Sequence, residues 1–144
     1  MPKRLLLPLV CALAAACDNT ISGPSGTASS TASTVSLSTE SFEATLSNGE
    51  STFYSFTVGT AGSVAVTLAS LVQVGRPAAV ATTMRIGLGT PAGEGCAISD
   101  TVDASAALTP QLTASMSAGI HCVSIADVGQ LTGPAIVAVR FVHP

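Results

Sequence analysis

Hydrophobic and polar residues alternate with a period of two through most of the chain, from about residue 35 to the end. Phe42, Ala44 and Leu46 alternate with polar neighbours, then Tyr54, Phe56 and Val58 line one face of a second run, and Val64, Val66 and Leu68 continue it with Ala65 and Thr67 on the other side. Met84, Ile86 and Leu88 share a face opposite Arg85 and Gly87; Leu112, Ala114 and Met116 repeat the beat. Val123 and Ile125 point inward from a run over His121 to Ala126, and Val137, Val139 and Phe141 share a face of a run from Ala135 to Val142, with Arg140 opposite. A repeat of two is the mark of strands with one buried face. Between the runs lie Ser47-Asn48-Gly49-Glu50, the Gly59 to Gly62 segment and Ser117-Ala118-Gly119. Asn-Gly between alternating runs predicts a two-stranded hairpin with its turn at Asn48-Gly49. No window carries a helical stripe, and Ala104 to Leu108 offers one turn at most. Seven to eight short strands bounded by Gly, Pro, Ser or Asn predict an all-β, antiparallel β-sandwich over residues 35–144.

The first quarter of the chain follows different rules. Met1 to Arg4 is positive, Leu5 to Ala16 is apolar apart from Pro8, and small residues precede Cys17. That order is a secretory signal over residues 1–16, and its apolar run of about twelve residues falls short of the roughly twenty needed to span a bilayer as a helix. Leu13-Ala14-Ala15-Ala16-Cys17 resembles a bacterial lipobox, which makes Cys17 the lipid-bearing first residue of the mature protein. The alternative is ordinary cleavage after Ala16, leaving Cys17 as a free thiol. Fatty chains stabilise anchoring by about 0.8 kcal/mol per buried methylene. Residues 17–34, rich in Ser, Thr, Ala and Gly, read as the lipidated cysteine and a disordered tether, too polar to offset their ordering entropy. Export to the cell envelope follows, with the leaflet left open.

Cys11 leaves with the signal and Cys17 is assigned to lipid, so Cys96 and Cys122 remain and are read as a structural disulfide. A bond closing that loop contributes roughly 3 to 4 kcal/mol in the chain-entropy account. The rival reading, a metal or redox pair, has neither a CxxC nor clustered histidines behind it.

Composition narrows the function. Charged residues make up 9% of the chain and hydrophobic ones 47%, so Ser, Thr, Gly and Asn must supply most of the polar surface. After the signal, three arginines stand against eight acidic residues, a formal balance of −5. No basic face remains, and with no Trp, one Tyr and four Phe the chain lacks the aromatic platforms on which single-stranded nucleic acid or flat sugar rings usually stack; nucleic-acid binding is excluded.

The order Asn48-Gly49-Glu50, Tyr54-Ser55-Phe56-Thr57-Val58 and Gly62-Ser63-Val64-Ala65-Val66-Thr67-Leu68 resembles the opening of the bacterial pre-peptidase C-terminal domain. Met84 to Leu88 is similar to that family's middle strand, and Ala118 to Ile125 to its near-terminal strand, with His121 where an aromatic residue is usual. The resemblance covers the whole of residues 35–144. It implies a jelly-roll-like sandwich, attached to secreted enzymes or standing alone, with roles in adhesion, substrate contact or assembly and no catalysis of its own.

The sequence offers few groupings of residues suited to chemistry. Gly87-Leu88-Gly89-Thr90-Pro91-Ala92 fits a GxGxxA nucleotide fingerprint, but Pro and Gly follow where a helix is needed. Glu94, Asp100 and Asp103 lie in an expected loop before the sixth strand; without the spacing of a calcium loop they read as solvated charge, with a weak calcium site as the alternative. His121 is read as a core or rim residue beside the disulfide, His143 as part of a terminal tail, and Asp127 as a turn former bonding its own backbone. No GxSxG elbow or HExxH helix accompanies either histidine, so a hydrolase is disfavoured and no cofactor is expected. The leading expectation is a membrane-tethered, non-enzymatic β-sandwich lipoprotein contacting protein or polysaccharide partners at the cell envelope. The alternative is a structural or stabilising subunit of an envelope assembly with no ligand of its own.

Overall fold

The computed structural model describes residues 34–76 and 78–144. The signal, Cys17 and the tether therefore lie outside the described residues, apart from Thr34. The rest is all β. Eight strands, β1 (Ser38–Leu46), β2 (Ser51–Val58), β3 (Gly62–Gln73), β4 (Met84–Ala92), β5 (Gly95–Ala104), β6 (Leu112–Met116), β7 (Gly119–Asp127) and β8 (Ala135–His143), form two four-stranded sheets. One sheet runs β1-β8-β3-β6 and the other β2-β7-β4-β5, with every pairing antiparallel. The pairs β1–β8, β2–β7, β3–β6 and β4–β5 are nested, like one long hairpin rolled over on itself. That is a jelly roll, two sheets closed face to face over one core.

Side-chain alternation produces the core. In β8, Ala135, Val137, Val139 and Phe141 are buried while Ile136 and Arg140 face out. Val64, Val66 and Leu68 of β3 and Met84, Ile86 and Leu88 of β4 meet them, with Val123 and Ile125 of β7 between. Each such side chain contributes about 1.5 to 3 kcal/mol by leaving water. Thr67, on the outer face of β3, is buried as well. Its cross-strand partner Arg140 reaches to the Leu108 carbonyl (3.4 Å), and the 105–111 loop bonds along β3 through Ala107 N to Leu68 O (2.9 Å) and Gln111 N to Val66 O (3.0 Å). Gln111 Oε1 also accepts from the Leu68 amide (2.9 Å), so that loop serves β3 as a substitute strand where β6 has ended.

The structure corrects several expectations. Asn48-Gly49 does form a tight turn, closed by Glu50 N to Ser47 O at 3.1 Å with Gly49 at φ 73°, but it is no hairpin. β1 and β2 lie in different sheets, because β8 and β7 pair with them along their whole lengths. Among the described residues, the only consecutive strands that pair are β4 and β5, whose turn falls at Gly93-Glu94. β5 itself was expected to be loop. Its residues are mostly exposed on an edge strand, which erases the alternation that marks the others. Asp100 and Asp103 therefore stand in a strand. His143 is no tail: β8 continues through it, paired with Ser38, and the residue is 4% exposed.

Candidate binding groove on an outer sheet face

The groove begins with two small residues. Gly87 and Gly89 lie on the outer side of β4, opposite the buried Ile86 and Leu88. A bulge separates Leu88 from Gly89, with Ser99 bridging it through a hydroxyl bond to Leu88 O (3.2 Å). Beyond the bulge the backbone of β5 folds onto the outer side of β4. A Cβ at Gly89 would collide with the Ala97 carbonyl and lie 2.8 Å from Ile98 Cα, whereas one at Gly87 would meet the Ile98 side chain at 2.9 Å. The GxG spacing thus reflects close approach of the β5 backbone at Gly89 and of the Ile98 side chain at Gly87 rather than a phosphate cradle.

Folding back carries the hairpin tip across β4 toward β7. Cys96 and Cys122 lie at disulfide distance, Cα atoms 6.0 Å apart and 26 residues apart in sequence. Cys122 is fully buried although it sits on the outer side of β7, because the tip covers it. Between the tip and β2 lies a trough of about 400 Å³ lined by Ser51, Thr52 and Phe53 of β2, Ser124 of β7, and Glu94, Gly95 and Cys96 of the tip. Phe53, 37% exposed, is its one aromatic ring. Hydroxyls, a carboxylate and a ring can together bond and stack on a polar, ring-bearing ligand.

The three carboxylates weighed for calcium do not converge. Glu94 lines the trough, Asp103 is bonded twice to Arg85 (2.7 and 2.8 Å), and Asp100 accepts from the Ser99 hydroxyl (2.8 Å). Hydrogen bonding to the Arg85 guanidinium holds the Asp103 carboxyl below the ordinary carboxylate range. Among the described residues, no group of three His, Cys, Asp or Glu is placed to hold a metal ion.

Both histidines are engaged by structure. His121 Nε2 lies 2.8 Å from the Ser117 carbonyl; a carbonyl only accepts, so Nε2 carries a hydrogen, while the buried Nδ1 has no hydrogen-bond partner among the described residues. His143 Nε2 lies 2.9 Å from Glu40 Oε1, and Glu40 Oε2 accepts from the Tyr54 hydroxyl at 3.2 Å. Phe56 sits between the two imidazoles, 6.2 Å from His121 and 5.1 Å from His143. The Tyr54 ring stacks on Phe42 at 5.5 Å, closing the margin where β1 and β2 face each other as edge strands.

Asp127 does bond its own turn, and more. Its carboxylate accepts from the amides of Gly129 (3.0 Å), Gln130 (3.1 Å) and Leu131 (3.2 Å), and from Gly49 (2.8 Å) across the molecule. Burial pushes this carboxyl upward, but the four amide bonds outweigh burial and hold it below the ordinary range.

Of the residues singled out in the sequence, Glu94 and Cys96 line the trough itself. Phe53 and Ser124 were legible only as outward positions of strands. No family model matches the chain, and no curated protein matches it.

Proposed function

We propose that this protein is a membrane-tethered, non-enzymatic β-sandwich lipoprotein that contacts a polysaccharide of the cell envelope through the trough beside Phe53. The observation that carries the reading is the trough's chemistry: a concave site of about 400 Å³ edged by Ser51, Thr52, Ser124, Glu94 and one exposed ring. That suits a sugar better than a flat apolar protein face does, and its volume lies within the usual range for ligand sites. The signal and lipobox order ending at Cys17 supplies the anchor, and the Ser/Thr-rich segment after it supplies slack between membrane and domain. The resemblance to pre-peptidase C-terminal domains is in keeping with a contact role.

Two measurements test it. Cys17→Ala is expected to move the exported protein from the membrane fraction to the soluble fraction. On insoluble envelope polysaccharide, Phe53→Ala is expected to bind about fivefold more weakly than the parent protein, from loss of ring stacking. Equal retention of the parent and the variant would remove the saccharide reading.

A second reading, an assembly subunit with no ligand of its own, is favoured by one feature. On the other sheet, Val72, Val74 and Ile136 line a shallow hollow of about 320 Å³ with little polar character. Unchanged co-purification of envelope proteins with an Ile136→Asp variant would count against it.

A further inference from the structure

Going beyond the saccharide reading, we infer that the bond between Cys96 and Cys122 is a redox latch on the groove wall rather than a fastening for the sandwich as a whole. The topology separates the two roles. β4 pairs with β7 only as far as Gly89, opposite Cys122. From Thr90 to Ala92 it pairs with β5 alone, against Gly95 to Ala97, as a two-stranded ribbon with its turn at Gly93-Glu94. An isolated two-stranded ribbon is marginally stable in water.

On the far side of the bulge, Val102 and Ala104 pack against the core, and Asp103 is held by Arg85. On the tip side, Ala97 is exposed and Ile98 is 40% exposed, resting on the bare backbone of Gly87. Little apolar burial holds the tip down, so the sulfur bridge is its main tie. Glu94, Gly95 and Cys96 form one wall of the trough, and freeing the tip dismantles that wall.

Accessibility also fixes the order of exchange. Cys122 is fully buried and Cys96 is half-buried, so an incoming thiolate meets the Cys96 sulfur. A thiolate of an external dithiol protein attacks Cys96 Sγ and forms a mixed disulfide, while Cys122 leaves as a thiolate and takes a proton. The second thiol of that partner, deprotonated, then attacks its own mixed-disulfide sulfur and releases Cys96 as a thiolate, which is protonated in turn. Two electrons have passed to the latch, and the partner has become a disulfide.

Amide hydrogen exchange on the purified protein, before and after reduction with dithiothreitol, tests the latch without any ligand and so independently of the saccharide reading. Peptides over residues 95–98 are expected to exchange at least about tenfold faster once reduced, while peptides over residues 137–141 of β8 keep their protection. The double variant Cys96→Ser/Cys122→Ser is expected to match the reduced protein, and in the parent protein, alkylated during reduction by glutathione, the glutathione is expected on Cys96. If the β8 peptides lose protection in step with the tip, the bond holds the whole sandwich and the inference fails. It fails equally if tip exchange does not change, or if glutathione is found on Cys122.

Discussion

Asp127 shows how much one side chain can tie together. Its carboxylate closes the turn after β7 and, through Gly49, fastens the corner between β1 and β2 to the same point. Asp127→Asn keeps the shape but offers one acceptor oxygen where two were used and sets an NH₂ against amide donors. The expected loss is about 3 kcal/mol, from charge-assisted bonds that water replaces in the unfolded chain. Because folding lowers this carboxyl's pKa below the ordinary value of 3.8, its contribution is complete above that value and disappears as pH falls through the lower folded one. Urea midpoints measured from pH 7 down to pH 2 should therefore fall less steeply in the variant than in the parent. Parallel curves would show that the carboxylate is not linked to folding.

β5 is the element on which sequence and structure part company most instructively. An edge strand whose side chains mostly face water carries no repeat of two, so Gly95–Ala104 looks like loop. Its docking depends on the neighbour's missing side chains rather than on its own. Gly89→Ala sets a methyl group against the Ala97–Ile98 backbone, which cannot move without breaking the ladder, and is expected to cost about 3 kcal/mol. Gly87→Ala meets only the Ile98 side chain, which has rotamers to spare, and is expected to cost about 1 kcal/mol. Chemical denaturation of the two variants side by side checks the order. Equal costs would mean that β5 does not press on β4 as described.

Across the whole molecule, nesting decides the folding problem. Ser38 pairs with His143 and Ser51 with Ala126, so the outermost ladders join residues from opposite ends of the domain. Loop closure must be met before such contacts give anything back, and relaxation in milliseconds to seconds is expected, far slower than for helical domains of this length. Stopped-flow refolding followed by Tyr54, the chain's only tyrosine, measures it. A microsecond phase carrying the full amplitude would contradict the topology.

The sandwich was legible because large apolar residues recur at every second position in β3 (Val64, Val66, Leu68), β4 (Met84, Ile86, Leu88), β7 (Val123, Ile125) and β8 (Val137, Val139, Phe141), and burial of one face of each admits few other arrangements. Cys96 and Cys122, the pair that remains if Cys11 is assigned to a signal and Cys17 to lipid, do come to disulfide distance. The partners of the strands were not. Asn48-Gly49 specifies a sharp reversal, and the same reversal serves a hairpin or a corner between sheets; the choice belongs to β7 and β8, some 70 residues or more further on. His143 and Glu40 are likewise at opposite ends of the domain until β1 and β8 lie side by side. The trough was invisible for the same reason. Phe53, Ser124 and Glu94 come together only after β5 folds over Gly89, so local hydropathy sets which way each residue faces and long-range pairing sets what it faces.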